Sequence, residues 1–132
     1  MALTENTIQL VWEKGLKVDE YDPNNVRKDA CGAWIVRADY GNRDSVFGWE
    51  VDHIYPKSKL EDLKVPEDDI DNIINLRPLN WRNNDSKSDN FPIYKASITS
   101  EDNRNILKEE GLEINEAVKQ QILSFYSSYL PQ

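Results

Sequence analysis

The chain holds a single histidine, His53, which directly follows Asp52. Asn75 lies 22 residues further on, and Asn84 nine beyond that, three before Lys87. Histidine has the ordinary pKa closest to neutral pH and is the usual general base of hydrolytic chemistry. Carboxylate and carboxamide oxygens are hard donors of the kind Mg²⁺ takes, and Mg²⁺ keeps several waters and needs few protein groups. A base beside such donors could take a proton from water next to a bound cation. An isolated Asp-His pair is more often structural, so the elements that carry these residues decide the matter.

Residues 4–14 predict a short helix. Thr4 can cap it, Glu5 suits the positive dipole end, and Ile8, Val11 and Trp12 share one face. Asp22-Pro23 marks a turn, with Pro23 suited to a first helical position. Segments 33–36 and 48–54 read as two strands, and the turn-rich stretch 39–45 suggests a hairpin with a long loop. His53 then falls at a strand end. Residues 55–72 carry Pro56, Pro66 and an acidic run, and read as loop with at most one helical turn. A short strand is expected over 73–79, and Asn80 caps an expected helix over 81–88 that carries Asn84 and Lys87. Ser100 would cap a helix to Glu110, stopped by Gly111, and Asn115 would cap a last helix to Tyr129. In that last helix Ala117, Val118, Ile122, Phe125, Tyr126 and Tyr129 form an apolar face.

Taken together, Trp49-Glu50-Val51-Asp52-His53-Ile54-Tyr55-Pro56, Asn75-Leu76-Arg77-Pro78-Leu79 and Asn83-Asn84-Asp85-Ser86-Lys87-Ser88-Asp89-Asn90 resemble the HNH nuclease motif. The resemblance is to the subset with Asn in the third position. The V-D-H-I-x-P and N-x-x-K-S-D-N pieces are similar to those in the HNH domain of RNA-guided CRISPR nucleases. It covers about residues 31–92. It implies an α+β fold with a ββα-metal (His-Me finger) core, an N-terminal helix and a C-terminal helical extension over 99–130, in one domain of 1–132. The implied activity is metal-dependent endonucleolytic hydrolysis of DNA, leaving a 5′-phosphate and a 3′-hydroxyl.

Carried over by position, the resemblance makes His53 the base that activates water. Asp52 and Asn84 would hold a divalent metal, Mg²⁺ or Mn²⁺, and the spacing to Lys87 favours Asn84 over Asn83. Asn75 would hold the loop after His53 by backbone hydrogen bonds. Lys87 or Arg82 would meet phosphate oxygens, with Lys57 and Arg43 as further candidate nucleic-acid contacts. Cys31-Gly32 stands where many relatives place the first half of a zinc site. Asn80 and Asn83 occupy the later positions, so no structural zinc is expected and Cys31 reads as a buried thiol. Trp12, Trp34 and Trp49 are expected in the core, whereas Trp81 suits core or base stacking equally.

Two other functions would use the same residues. One is a nuclease toxin or defence effector acting on DNA or RNA. The other is a non-catalytic nucleic-acid- or metal-binding module, against which the joint presence of Asp52, His53 and Asn84 counts. Cutting both strands with one site per chain would favour a homodimer or a partner protein.

Composition bounds these readings. The 132 residues fit one domain, and 39% apolar residues can supply a core. Mean hydropathy is −0.73, and no apolar run reaches the roughly 18 residues of a membrane span. The stretch Met1–Asn6 lacks the basic and apolar regions of a secretory leader, so a cytoplasmic protein of bacterial type is expected. One cysteine excludes an intramolecular disulfide. The net charge of −8 speaks against a phosphate-binding protein until it is resolved along the chain. Between 61 and 72 six acidic residues face one lysine, whereas segments 23–60 and 73–99 together hold ten basic and seven acidic residues. The motif segments are therefore mildly basic, which predicts weak, salt-limited binding to random duplex. The acidic run reads as a solvated loop, with an influence on substrate preference as the sharper idea.

Overall fold

In the computed structural model, described over residues 3–131, the chain is an α+β protein of helices and three small antiparallel sheets. Met1, Ala2 and Gln132 lie outside the described residues, as do the first two residues of the stretch read for a leader. No helix among the described residues is long and apolar enough to cross a membrane.

Helix α1 (Glu5–Trp12) begins where Thr4 Oγ1 accepts from the Thr7 amide. Its buried face, Ile8, Val11 and Trp12, packs with Ile35, Trp49 and Leu76. Trp12 and Trp49 form the centre, fully buried with ring centroids 5.3 Å apart. Trp34 is buried as well, so all three expected core tryptophans are in the interior.

Strand pairing differs from the expected hairpin. After the turn at Asp22-Pro23, β1 (Val26–Lys28) pairs with β2 (Trp34–Val36), while β3 (Trp49–His53) pairs with β4 (Leu76–Asn80). Pro23 therefore precedes a strand, not a helix. A turn region separates β2 from β3, and Gly48 lets it close: a Cβ there would sit 1.9 Å from the Asn42 carbonyl oxygen. The segment expected as loop instead folds into two short helices, α2 (Lys57–Asp62) and α3 (Glu67–Ile70), each opening after a proline. Leu60, Val65 and Ile70 bury their side chains in a second core with Ile54, Leu79, Tyr94, Ile122 and Tyr126. The β3–β4 pair lies between the two cores, which is what a two-stranded ribbon needs to be stable.

Helix α4 (Trp81–Lys87) starts at Asn80, whose side chain accepts from the Arg82 amide as expected. The next expected helix is absent. Residues 93–113 form a hairpin, β5 (Ile93–Glu101) and β6 (Arg104–Glu113), and Gly111 lies within β6. Its turn places Asp102 at φ 53°, a conformation Asp tolerates. The last helix, α5 (Glu116–Phe125), begins at its Asn115 cap and ends sooner than Tyr129. Its Ile122, with Tyr126 just beyond, enters the second core.

Candidate active-site cleft

Strand β3 pairs with β4 along one edge, its other edge is met at Trp49 by a bridge from Tyr40, and a cavity of about 560 Å³ lies beside it. Glu50, His53, Lys57, Asp71 and Asn84 line it, with Tyr40 and Val51. Successive strand residues point to opposite faces, so Glu50 and His53 reach the cavity from different faces because it follows the strand edge.

His53 Nε2 lies 2.7 Å from Asp71 Oδ1, and the two side chains are only 20% and 8% exposed. Asn84, half-buried on α4, donates from Nδ2 to Glu50 Oε1 at 3.0 Å. Arg43 forms a two-point pair with Glu50 (2.8 and 2.9 Å) and a second with Asp85.

Asp52 is placed elsewhere. It shares the α4 side of β3 with Glu50, is buried, and is absent from the cavity wall. Its Oδ2 accepts from Arg77 Nε at 2.9 Å and its Oδ1 faces Lys87 Nζ at 3.3 Å. The structure thus brings His53 and Asn84 to one cleft and leaves Asp52 behind it. Pairing with Arg77 and the buried Lys87 holds Asp52 there.

Lys87 requires a correction. Its side chain is fully buried and its ammonium holds Asp52 and the His53 carbonyl, so it offers nothing to a phosphate. Burial lowers its pKa and the Asp52 carboxylate counters this. Of the other expected contacts, Arg82 is exposed over Trp81, Lys57 lines the cleft, and Arg43 stands at its rim engaged by acids. Trp81 anchors its indole N–H on the Ser45 carbonyl and carries Arg43 and Arg82 beside its ring.

Asn75 is fully buried. Its Oδ1 accepts from the Tyr55 amide at 2.7 Å and its Nδ2 donates to the Tyr55 carbonyl at 3.0 Å. With Ile54 N donating to the Asn75 carbonyl, this fixes the chain as it leaves His53. A carboxamide carries both the donor and the acceptor that such a bridge requires.

Asn83 has a different task from its neighbour. Its Oδ1 accepts from Ser97 and Ile98 amides at the bulge in β5, and its Nδ2 donates to Asp29 and the Ile98 carbonyl. Asp29, also fully buried, accepts in addition from the Cys31, Ala33 and Asn80 amides. Burial raises its pKa, with those four donors pulling back. Cys31 Sγ faces Tyr94 Oη at 3.7 Å.

A divalent cation can be tested against these donors. Among the described residues no three His, Cys, Asp or Glu side chains gather as a metal centre. A cation here would therefore rely on a carboxamide oxygen and on water. Glu50 and Asn84 fit that chemistry, as hard oxygen donors on an open cleft. Freeing Glu50 means swinging away Arg43, whose side chain is half exposed, which costs little. Freeing Asp52 means stranding buried Lys87 and Arg77, which costs several kcal/mol, roughly. Neither Glu50 nor Asp71 was singled out from sequence. Glu50 was visible two positions before Asp52, on the same strand face; Asp71 carried no signal, because only the α2–α3 fold brings it to His53.

Compared with protein-family models, curated proteins and solved structures, the chain matches none.

Proposed function

We propose that the chain is a metal-dependent endonuclease hydrolysing phosphodiester bonds in DNA. The observation that supports this best is that His53, Asn84 and Glu50 line one cleft beside β3. A strand ending in the base, its partner strand β4, and a helix α4 bearing the third residue agree with a ββα-metal core. Glu50 and Asn84 would hold the cation, in place of the Asp52 and Asn84 pair that the resemblance implies. When bound, a divalent ion neutralises charge on the phosphate and the leaving oxygen.

The chain's own residues account for the rest. His53 takes a proton from water as the water oxygen attacks phosphorus, and the bond to the 3′ oxygen breaks. Asn75 keeps the exit of β3 in place, so the imidazole stays over the cleft. Lys57 and Arg82 would meet backbone phosphates. Much of the motif's positive charge is engaged internally, in Arg27, Arg77, Lys87 and the paired Arg43. Binding to random duplex should therefore be weak.

Plasmid nicking with Mg²⁺ or Mn²⁺ tests the reading. Wild type should nick, and His53→Ala should lose at least about 100-fold. Equal nicking by both would sink the mechanism. No cleavage of DNA or RNA by wild type would favour a binding module.

A further inference from the structure

We propose that Asp71 is the positioning residue of His53, holding the neutral ring with its proton on Nε2 so that Nδ1 is the nitrogen that accepts the proton from water. This rests on the nuclease reading for its catalytic meaning. The pairing itself stands on geometry.

The carboxylate oxygen is 2.7 Å from Nε2, and Asp71 is almost entirely shielded from water. A carboxylate can only accept, so the imidazole nitrogen facing it must donate. The other nitrogen then holds the lone pair. A base oriented by a third group in this way is the general arrangement of an activated catalytic histidine.

The fold fixes Asp71 from both sides. Its amide donates to the Glu67 carbonyl at 2.9 Å, closing α3. Two residues earlier, the Asp69 carbonyl accepts from Tyr126 Oη at 2.6 Å, and the Asp69 carboxylate accepts from Tyr129 Oη at 3.1 Å. Ile70, between them, is buried in the second core. The end of α5 thus clamps the acidic segment against the cleft. Asp71, just past α3, reaches His53, while Asp68 is exposed on that short helix. The charged groups around His53 are Asp71, just after α3, and Lys57 and Glu50 along the cleft.

A carboxylate this close to a phosphate site has two opposed effects. It orients the base, which favours turnover, and it repels the substrate, which weakens binding. Removing its charge while keeping its shape should therefore lower kcat and lower KM together. Loss of fold would not tighten binding.

The test has two readouts. The first is ¹⁵N NMR of the one histidine in its neutral form, with no other histidine contributing. Wild type should show the proton on Nε2. Asp71→Asn, whose carboxamide can donate to the ring, should move it toward Nδ1, and Asp68→Asn should leave it in place. The second is steady-state cleavage. Asp71→Asn should lose about 100-fold in kcat with a lower KM, within the range of general-base catalysis. Tyr126→Phe, which keeps the packing, should lose less in the same direction, and Asp68→Asn should match wild type. An Asp71→Asn variant with the wild-type tautomer, or with wild-type kcat, overturns the proposal. Wild type inactive on all nucleic acids overturns the nuclease reading instead, and the tautomer then decides the pairing alone.

Discussion

Asn83 and Asn84 are neighbours on α4, yet they lead to two different kinds of carboxylate. Asn83 reaches Asp29, which accepts four hydrogen bonds from neutral N–H groups at 2.9 to 3.1 Å and lies fully out of water. Asn84 reaches Glu50, which faces a cleft and is held by an exposed arginine that can leave. The first carboxylate ties β1, the start of β2, β4 and α4 into one knot. It joins Cys31, Asn80 and Asn83. The second has partners it can exchange. A saturated carboxylate is a cross-link, and a carboxylate with replaceable partners is a site. The two should therefore answer differently to the same kind of substitution.

The largest effect is expected at the knot. Asp29→Ala strands four buried donors, and each such group costs about 1–3 kcal/mol to leave unpaired, so a total loss of about 4 kcal/mol is expected after relaxation. Urea denaturation should show it, with the activity of the remaining folded fraction unchanged. A loss under about 1 kcal/mol would mean that the carboxylate is not the cross-link described.

Asp52 and Glu50 sharpen the contrast, because they lie two residues apart on one strand face. Asp52→Asn leaves Lys87 and Arg77 buried without their counter-charge and should cost about 3 kcal/mol of stability. Glu50→Gln should leave stability near wild type and weaken Mn²⁺ binding at least tenfold, roughly. Calorimetric titration with Mn²⁺ separates them. If the folded Asp52 variant loses metal and the Glu50 variant does not, the buried clamp opens on binding and the ligand set implied by the resemblance is restored.

Much of this organisation was legible in the sequence, and what was missed has physical causes. The caps Thr4, Asn80 and Asn115 were readable because a side-chain oxygen before a helical pattern is a local signal. The core positions of Trp12, Trp34 and Trp49, and the buried Cys31, followed from residue type. Residues 100–110 read as a helix because Leu, Lys and Glu are good helix formers and Ser100 is a good cap. The hairpin wins through its tertiary contacts: Tyr94, Ala96 and Ile98 alternate into the core, and Asn105 bridges both backbone groups of Trp34. That alternation was present in the sequence, but β6 is exposed along most of its length and gives no period of its own. Strand partners were not legible at all. Only the fold shows that β3 chooses β4.

A smaller effect is expected from Arg43→Ala. It frees Glu50 and leaves Asn84 as its neighbour, so Mn²⁺ affinity should rise a few-fold with little change in stability, as for other exposed pairs. A fall in affinity would show that Arg43 organises the cleft and does not merely neutralise it.

The slightest perturbation uses Cys31, whose amide is part of the knot and whose thiol is pushed up to about 12, first by burial and then by the Asp29 charge. At pH 8 only roughly one thiol in ten thousand is ionised in the closed state, so alkylation must proceed through opening. Wild type should label slowly with iodoacetamide. Because the folded value exceeds the ordinary 9.0, the folded state loses stability as pH rises from 9.0 toward about 12, and labelling should accelerate across that range. Asp29→Ala should label fast already at pH 8, since the knot that shields the thiol is gone. Glu50→Gln and Asp71→Asn should label at the wild-type rate, because the cleft can change its partners without loosening the other side of α4. Equal acceleration in all three variants would show that the two groups of carboxylates form one cooperative unit, and the distinction between cross-link and site would then fail.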